Sequence, residues 1–165
     1  MIVLFLGGAR SGKSVVAERR AAESGTAVTY LATAVPAGDD ADFAARIAAH
    51  QARRPPTWTT VEVGAALAEH LRDLDGTALV DSLGTWVANH DAFEVDGRAL
   101  VDAMTGRSGD TIVVSEEVGL GVHPSSEAGR RFRDALGALN QVVAEAADDV
   151  LLVVAGRVLP LERSR

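Results

Sequence analysis

Short apolar runs alternate with amphipathic stretches along the chain. Ile2 to Leu6, Ala27 to Ala32, Ala78 to Asp81, Thr111 to Ser115 and Val150 to Ala155 are rich in leucine or β-branched residues. Runs this short, with little polar alternation, predict strands covered on both faces, the habit of a mainly parallel sheet. Helical patterns lie between them. Ser14 to Glu23 follows the first run, Asp40 to Arg53 ends at Pro55-Pro56, and Val63 to Leu74 sets Leu67, Leu71 and Leu74 at helical spacing. Ser125 or Ser126 can cap a long helix running to about Ala147, whose Phe132, Leu136, Leu139 and Val143 form one apolar stripe for core packing. Ser82-Leu83-Gly84 reads as a loop, and the polar, glycine-punctuated stretch His90 to Asp110 as a short helix between loops. The βαβα order predicts an α/β fold with helices flanking the sheet, and ligands beyond the carboxyl ends of its strands.

Composition narrows the picture. The 165 residues suit one domain spanning 1–165, and 47% hydrophobic with 24% charged residues is an ordinary globular balance. A net charge of -7 disfavours a general nucleic-acid binder. The absence of cysteine excludes disulfides, thiolate metal sites and cysteine nucleophiles, and fits a reducing cytoplasm. The apolar start lacks a basic leader region and a cleavage site, and no run approaches the roughly 18 apolar residues of a membrane span. The expectation is a cytoplasmic protein with no membrane span.

The candidate chemistry begins directly after the first apolar run. Gly7-Gly8-Ala9-Arg10-Ser11-Gly12-Lys13-Ser14 fits G-x-x-x-x-G-K-[ST], with a strand pattern before it and a helix pattern after it. Its glycines let the backbone N–H groups turn inward onto phosphates, and the following helix adds its positive end. Lys13 reaches the β/γ-phosphates in such a loop, and Ser14 holds Mg²⁺. These features predict a phosphate-binding loop of a P-loop nucleoside triphosphatase.

Other segments are less specific. On a helix, Arg46, His50 and Arg53 share one face. That is either a solvated basic face or a phosphate grip in which nearby positive charge keeps His50 neutral and nucleophilic. Asp81 ends an apolar strand, where it either opens a loop or stands near Mg²⁺. Glu116 and Glu117 precede Val118-Gly119-Leu120-Gly121 and could serve the metal, act as a base, or belong to a solvated turn. Glu62 is a surface strand carboxylate or an acceptor for a base or ribose. His70, His90 and His123 show no metal-ligand spacing.

Taken in order, Gly7-to-Ser14, Arg46-to-Pro55, Asp81 in Val-Asp-Ser-Leu-Gly-Thr-Trp-Val-Ala-Asn, and Glu117-Val118-Gly119-Leu120-Gly121-Val122-His123-Pro124 resemble one family. So do Arg131 to Gln141 and Val153 to Leu161, which extends the similarity over nearly the whole chain. The family is the bifunctional adenosylcobinamide kinase/adenosylcobinamide-phosphate guanylyltransferase of cobalamin biosynthesis. The resemblance implies that a nucleoside triphosphate phosphorylates the aminopropanol hydroxyl of adenosylcobinamide. GTP then guanylylates a histidine, and GMP passes to the new phosphate to give adenosylcobinamide-GDP. Motif position puts that histidine at His50. It also implies nucleotide contacts from Ala32, Thr33 and Ala34, from Gln51, Ala52, Arg53 and Arg54, from Glu62, and from Asp81. A RecA-like P-loop sheet with an antiparallel edge, ATP and GTP as substrates, Mg²⁺ as cofactor and a homo-oligomer, a trimer, are further implications. Two departures stand out: family members often carry two adjacent histidines where this chain has Ala49-His50, and Asn where it has Glu116. Two other readings of the loop are a kinase of a different small metabolite and a nucleotide-binding regulatory protein.

Overall fold

The computed structural model describes residues 1–34, 51–52 and 54–163. Five of the strands follow the apolar runs: β1 (Ile2–Gly7), β2 (Val28–Ala32), β4 (Thr77–Asp81), β5 (Thr111–Glu116) and β6 (Asp149–Val154). Two short strands, β3 (Thr59–Glu62) and β7 (Arg157–Pro160), complete a seven-stranded sheet of order β3-β2-β4-β5-β1-β6-β7. Its pairs are parallel except for β6 with β7.

Strand pleating divides the apolar runs between two cores. Val3 and Phe5 of β1, Leu79 of β4, and Ile112 and Val114 of β5 face helix α1 (Lys13–Ala22), which buries Ala17 and Ala21 against them. Ile2, Leu4, Leu6, Val80 and Val113 point the other way. There they meet α2 (Leu67–Arg72), α3 (Leu83–Ala88), α4 (Gly97–Thr105) and α5 (Glu127–Ala146). Burial on both faces explains why these strands read as continuous apolar runs.

The long helix starts where the Ser126 hydroxyl accepts from Gly129 N at 3.1 Å, and its Leu136, Leu139 and Val143 are buried while Phe132 packs at the core margin. Helix α4 is capped likewise, Asp96 accepting from Ala99 N, and a single 3-10 turn at Asp91–Phe93 precedes it.

Two expectations need correction. The helix read over Val63 to Leu74 is confined to Leu67–Arg72, because Gly64 takes a left-handed φ of 51° and Ala66 caps the helix. The stretch Ser82-Leu83-Gly84 is not a loop but the start of α3. Ser82 forms a reciprocal cap with Thr85, satisfying N–H groups at the helix start. The Asp40-to-Arg53 helix falls almost wholly outside the described residues, within which Gln51 and Ala52 are helical and exposed.

At the amino-terminal edge of the sheet, Arg107 fastens the segment before β4 to the one before β5. Its guanidinium donates to the carbonyls of Leu74, Gly76, Gly109 and Asp110 and to the Thr111 hydroxyl. Burial pushes its pKa below the ordinary arginine value, against the opposing pull of Asp110 and Asp75. The opposite, carboxyl edge is where Gly7 pairs with Glu116, and Ala32 with both Asp81 and Glu62. Register alone therefore gathers Gly7, Ala32, Glu62, Asp81 and Glu116 on one rim.

Candidate active site

The loop from Gly7 to Ser14 leaves β1 at this rim and turns into α1. Ser11 N donates to Gly8 O at 3.2 Å, closing the turn, and Gly12 adopts a left-handed φ of 91° before the helix begins. Close packing enforces two of its glycines. A Cβ on Gly7 would stand 2.5 Å from Ser11 Oγ and 2.7 Å from Val153 O, and one on Gly12 would stand 3.3 Å from Gly156 Cα. The turn between β6 and β7 braces the loop from outside, with Gly156 N donating to Ser11 O at 2.8 Å. The first N–H groups of α1 and its aligned dipole are thus presented at a rim where a polyphosphate can bind.

Lys13 is buried along its stem, and its ammonium donates to Gly8 O at 3.3 Å and pairs with Glu116 Oε1 at 3.6 Å. The other carboxylate oxygen of Glu116 accepts from Ser82 Oγ at 3.1 Å and from Gly84 N at 3.0 Å. Glu117 is separated from this arrangement. Its side chain folds back to accept from Gly119 N at 2.6 Å within its own loop.

Asp81 ends β4, which only β5 separates from β1 and its phosphate loop, and α1 packs across all three strands. Its carboxylate accepts from the Tyr30 hydroxyl at 2.7 Å. Burial first, and then the Asp81 charge and hydrogen bond, push the Tyr30 phenol far above its ordinary pKa, so it keeps its proton and donates the hydrogen bond to Asp81. Over the same ring lies the Arg54 guanidinium, 3.4 Å from the centroid, while its Nη1 donates to Thr60 Oγ1 at 3.2 Å. Its Nε is buried with no hydrogen-bond partner among the described residues.

Thr33 is fully buried. Its hydroxyl bonds to the backbone of Ser82 and to the Thr85 hydroxyl, and its carbonyl accepts from Asn89 Nδ2 at 2.6 Å. Ala32 gives its carbonyl to Val63 N. The Ala32-Thr33-Ala34 segment is thereby fixed to the start of α3, and the Asp81–Ser82 peptide beside it is cis. Glu62 stands exposed at the end of the edge strand β3, in register with Ala32. Ser14 follows Lys13 on the first turn of α1. The rim therefore brings together Lys13, Ser14, Asp81, Glu116 and the tethered Thr33. His50, Arg46 and Arg53 lie outside the described residues.

Sequence reasoning overlooked four contributors. Tyr30 lies in an apolar strand and reads as core, and Ser82 with Gly84 reads as a loop. Gly156 could have been suspected from the Ala155-Gly156 pair between two apolar runs, a composition that signals a tight turn.

Ser14 and Asp81 offer hard oxygen donors, a set that suits Mg²⁺ when phosphate oxygens and water complete the shell. Among the described residues no three His, Asp or Glu side chains form a separate cation site, and no helix is long and apolar enough to cross a membrane.

Comparison with known proteins places this geometry. In solved structures, the fold is similar to that of the flagellar accessory protein FlaH from Methanocaldococcus jannaschii, at a TM-score of 0.53 and 12% identity, covering 95% of this chain and 74% of that one. It is also similar to an ATPase of the type III secretion system of pathogenic bacteria, at a TM-score of 0.58 and 12% identity, with 92% and 51% covered. These likenesses show a P-loop nucleoside triphosphatase fold. In sequence, the chain is 47% identical to the bifunctional adenosylcobalamin biosynthesis protein CobP of Pseudomonas aeruginosa, over 96% of each. It is 34% identical to the bifunctional adenosylcobalamin biosynthesis protein CobU of Escherichia coli, covering 94% of this chain and 97% of that one. The model of the cobinamide kinase / cobinamide phosphate guanyltransferase family matches residues 3–161, and the chain belongs to that family.

Proposed function

We propose that this protein phosphorylates the aminopropanol hydroxyl of adenosylcobinamide and then transfers GMP from GTP to the product through His50, yielding adenosylcobinamide-GDP. The observation that carries the reading is the family match over residues 3–161, which spans the phosphate loop and the histidine segment together.

In the kinase step the substrate hydroxyl oxygen attacks the γ-phosphorus. The bond from that phosphorus to the β–γ bridging oxygen breaks, the hydroxyl proton is lost, and a nucleoside diphosphate leaves. Backbone N–H groups from Gly7 through Ser14 and the α1 dipole hold the phosphates, and the Lys13 ammonium stabilises charge on the β- and γ-oxygens. Ser14 and Asp81 would hold Mg²⁺, which supplies neutralisation of phosphate charge when bound. Tyr30 fixes the orientation of Asp81 by its hydrogen bond.

In the transferase step a ring nitrogen of His50 attacks the α-phosphorus of GTP. A P–N bond forms and pyrophosphate departs. An oxygen of the corrinoid phosphate then displaces the histidine from phosphorus, which releases the imidazole for another cycle. Gln51, Ala52, Arg53 and Arg54 directly follow the nucleophile in the sequence, and the two arginines supply positive charge for the phosphates in this reading. Ala32 to Ala34 and Glu62 are further nucleotide contacts in this reading. The chain forms a homo-oligomer in this reading, a trimer by the family resemblance, and exposed Val154, Val158 and Leu159 on the β6–β7 edge offer an apolar surface for assembly.

Chromatography of reactions containing adenosylcobinamide, ATP, GTP and Mg²⁺ tests the proposal. Wild-type protein should form adenosylcobinamide phosphate and then adenosylcobinamide-GDP. Lys13→Ala should lose the first product, and His50→Ala should accumulate it. Failure of wild-type protein to modify the corrinoid would overturn the assignment.

A further inference from the structure

We infer that Glu116 is a positioning residue that holds Lys13 within the phosphate loop and makes nucleotide binding conditional on a divalent cation. The inference rests on the phosphate-loop reading alone and is independent of the corrinoid and of His50.

The two oxygens of Glu116 have different jobs. Oε2 is tethered by Ser82 Oγ at 3.1 Å and Gly84 N at 3.0 Å, both at the start of α3. That approach is possible only because residue 84 has no side chain, since a Cβ there would overlap Oε2. Oε1 faces the Lys13 ammonium at 3.6 Å. Lys13 in turn donates to the Gly8 carbonyl, so its positive charge is engaged by groups of the protein itself.

An incoming triphosphate must draw Lys13 away from Glu116 and onto its own oxygens. Glu116 cannot follow or retreat freely, because Oε2 remains fastened to Ser82 and Gly84. Its negative charge therefore stays within one side chain's reach of the phosphates, in a partly buried setting where like charges repel more strongly than in bulk water. A bare nucleotide meets both penalties, loss of the Lys13–Glu116 pair and repulsion from the carboxylate. A nucleotide that arrives with a divalent cation brings positive charge that offsets the second. Glu116 thus favours the cation-complexed triphosphate over the free anion, and the selection occurs at binding, before any chemistry.

Calorimetric titration of GTP into the full chain, with EDTA and separately with Mg²⁺, tests this for wild type, Glu116→Gln and Glu116→Asn. Both variants keep a polar group that can meet Ser82 while removing the charge. Magnesium-free GTP should bind both variants about tenfold more tightly than wild type, on the order of one partly screened charge pair. Affinity in Mg²⁺ should change less than about twofold, so the enhancement by Mg²⁺ should shrink by the same tenfold factor. If Glu116 only braces α3, both variants will bind bare GTP no better than wild type, with an unaltered enhancement by Mg²⁺, and the inference is overturned. Absence of GTP binding by wild type even with Mg²⁺ would overturn the nucleotide site and this inference with it.

Discussion

The Tyr30 hydroxyl donates a 2.7 Å hydrogen bond to Asp81, while the opposite resource of the same residue, its ring face, carries the Arg54 guanidinium. One buried side chain thus joins the carboxylate at the end of β4 to Arg54, four residues after His50 in the sequence. In the proposed mechanism these two ends serve different reactions, and Tyr30 touches both.

Tyr30→Phe keeps the ring beneath Arg54 and deletes only the bond to Asp81. A hydrogen bond to a charged group contributes about 1.5–3 kcal/mol. With this one of its bonds gone, Asp81 should be held less precisely, and kcat/KM for the kinase step should fall by roughly tenfold. Steady-state kinetics with ATP and adenosylcobinamide measure the effect, and an unchanged value would show that Asp81 does not depend on Tyr30.

Tyr30 is also the one tyrosine of the chain, which makes its ionisation directly visible. Its pKa is raised above the ordinary 10.0 chiefly by burial, so above that pH the unfolded chain releases a proton that the native chain retains. The contribution to stability is full below pH 10 and is lost as pH rises beyond it. In an alkaline titration, phenolate absorbance should appear only together with loss of the far-ultraviolet circular dichroism of the fold. Phenolate formation near pH 10 in a folded chain would contradict the placement of Tyr30.

The loop glycines give a steric prediction. In Gly7→Ala the new methyl meets Ser11 Oγ and the Val153 carbonyl, and the latter belongs to the sheet backbone and cannot swing aside. Overpacking of this kind costs about 1–3 kcal/mol. Thermal melting should show the loss, and GTP titration should show affinity weakened by roughly tenfold or more as the loop shifts.

Arg107 provides the complementary case, a residue important for the fold and remote from the rim. Arg107→Met removes the donors that four carbonyls and the Thr111 hydroxyl now share. Urea unfolding should report a loss of about 2–4 kcal/mol. The affinity of the folded variant for GTP should match wild type, because Arg107 lies at the amino-terminal edge of the sheet.

Much of this architecture is legible in the residues. Doubly buried strands leave contiguous apolar runs, and β1, β2, β4, β5 and β6 lie where those runs stand. The phosphate loop is legible because its glycines answer local constraints that any such loop must meet. Helix α3 is not, since its cap pairs Ser82 with Thr85 instead of the more recognisable Glu or Gln. The choice between Glu116 and Glu117 was equally closed to sequence reasoning. It depends on which carboxylate β5 directs toward Lys13, and that is settled by the register of Glu116 with Gly7 and by the turn that occupies Glu117. Tyr30 is hidden for a simpler reason: an aromatic residue in a strand has the same pattern whether its hydroxyl is used or not.

The most direct test of the central claim is the intact mass of the protein after incubation with GTP and Mg²⁺. Wild-type chain should gain the mass of one GMP, His50→Ala should gain none, and adenosylcobinamide phosphate should discharge the adduct as adenosylcobinamide-GDP forms. A GTP-bound wild-type chain that acquires no adduct, or an adduct that persists in His50→Ala, would contradict transfer through His50.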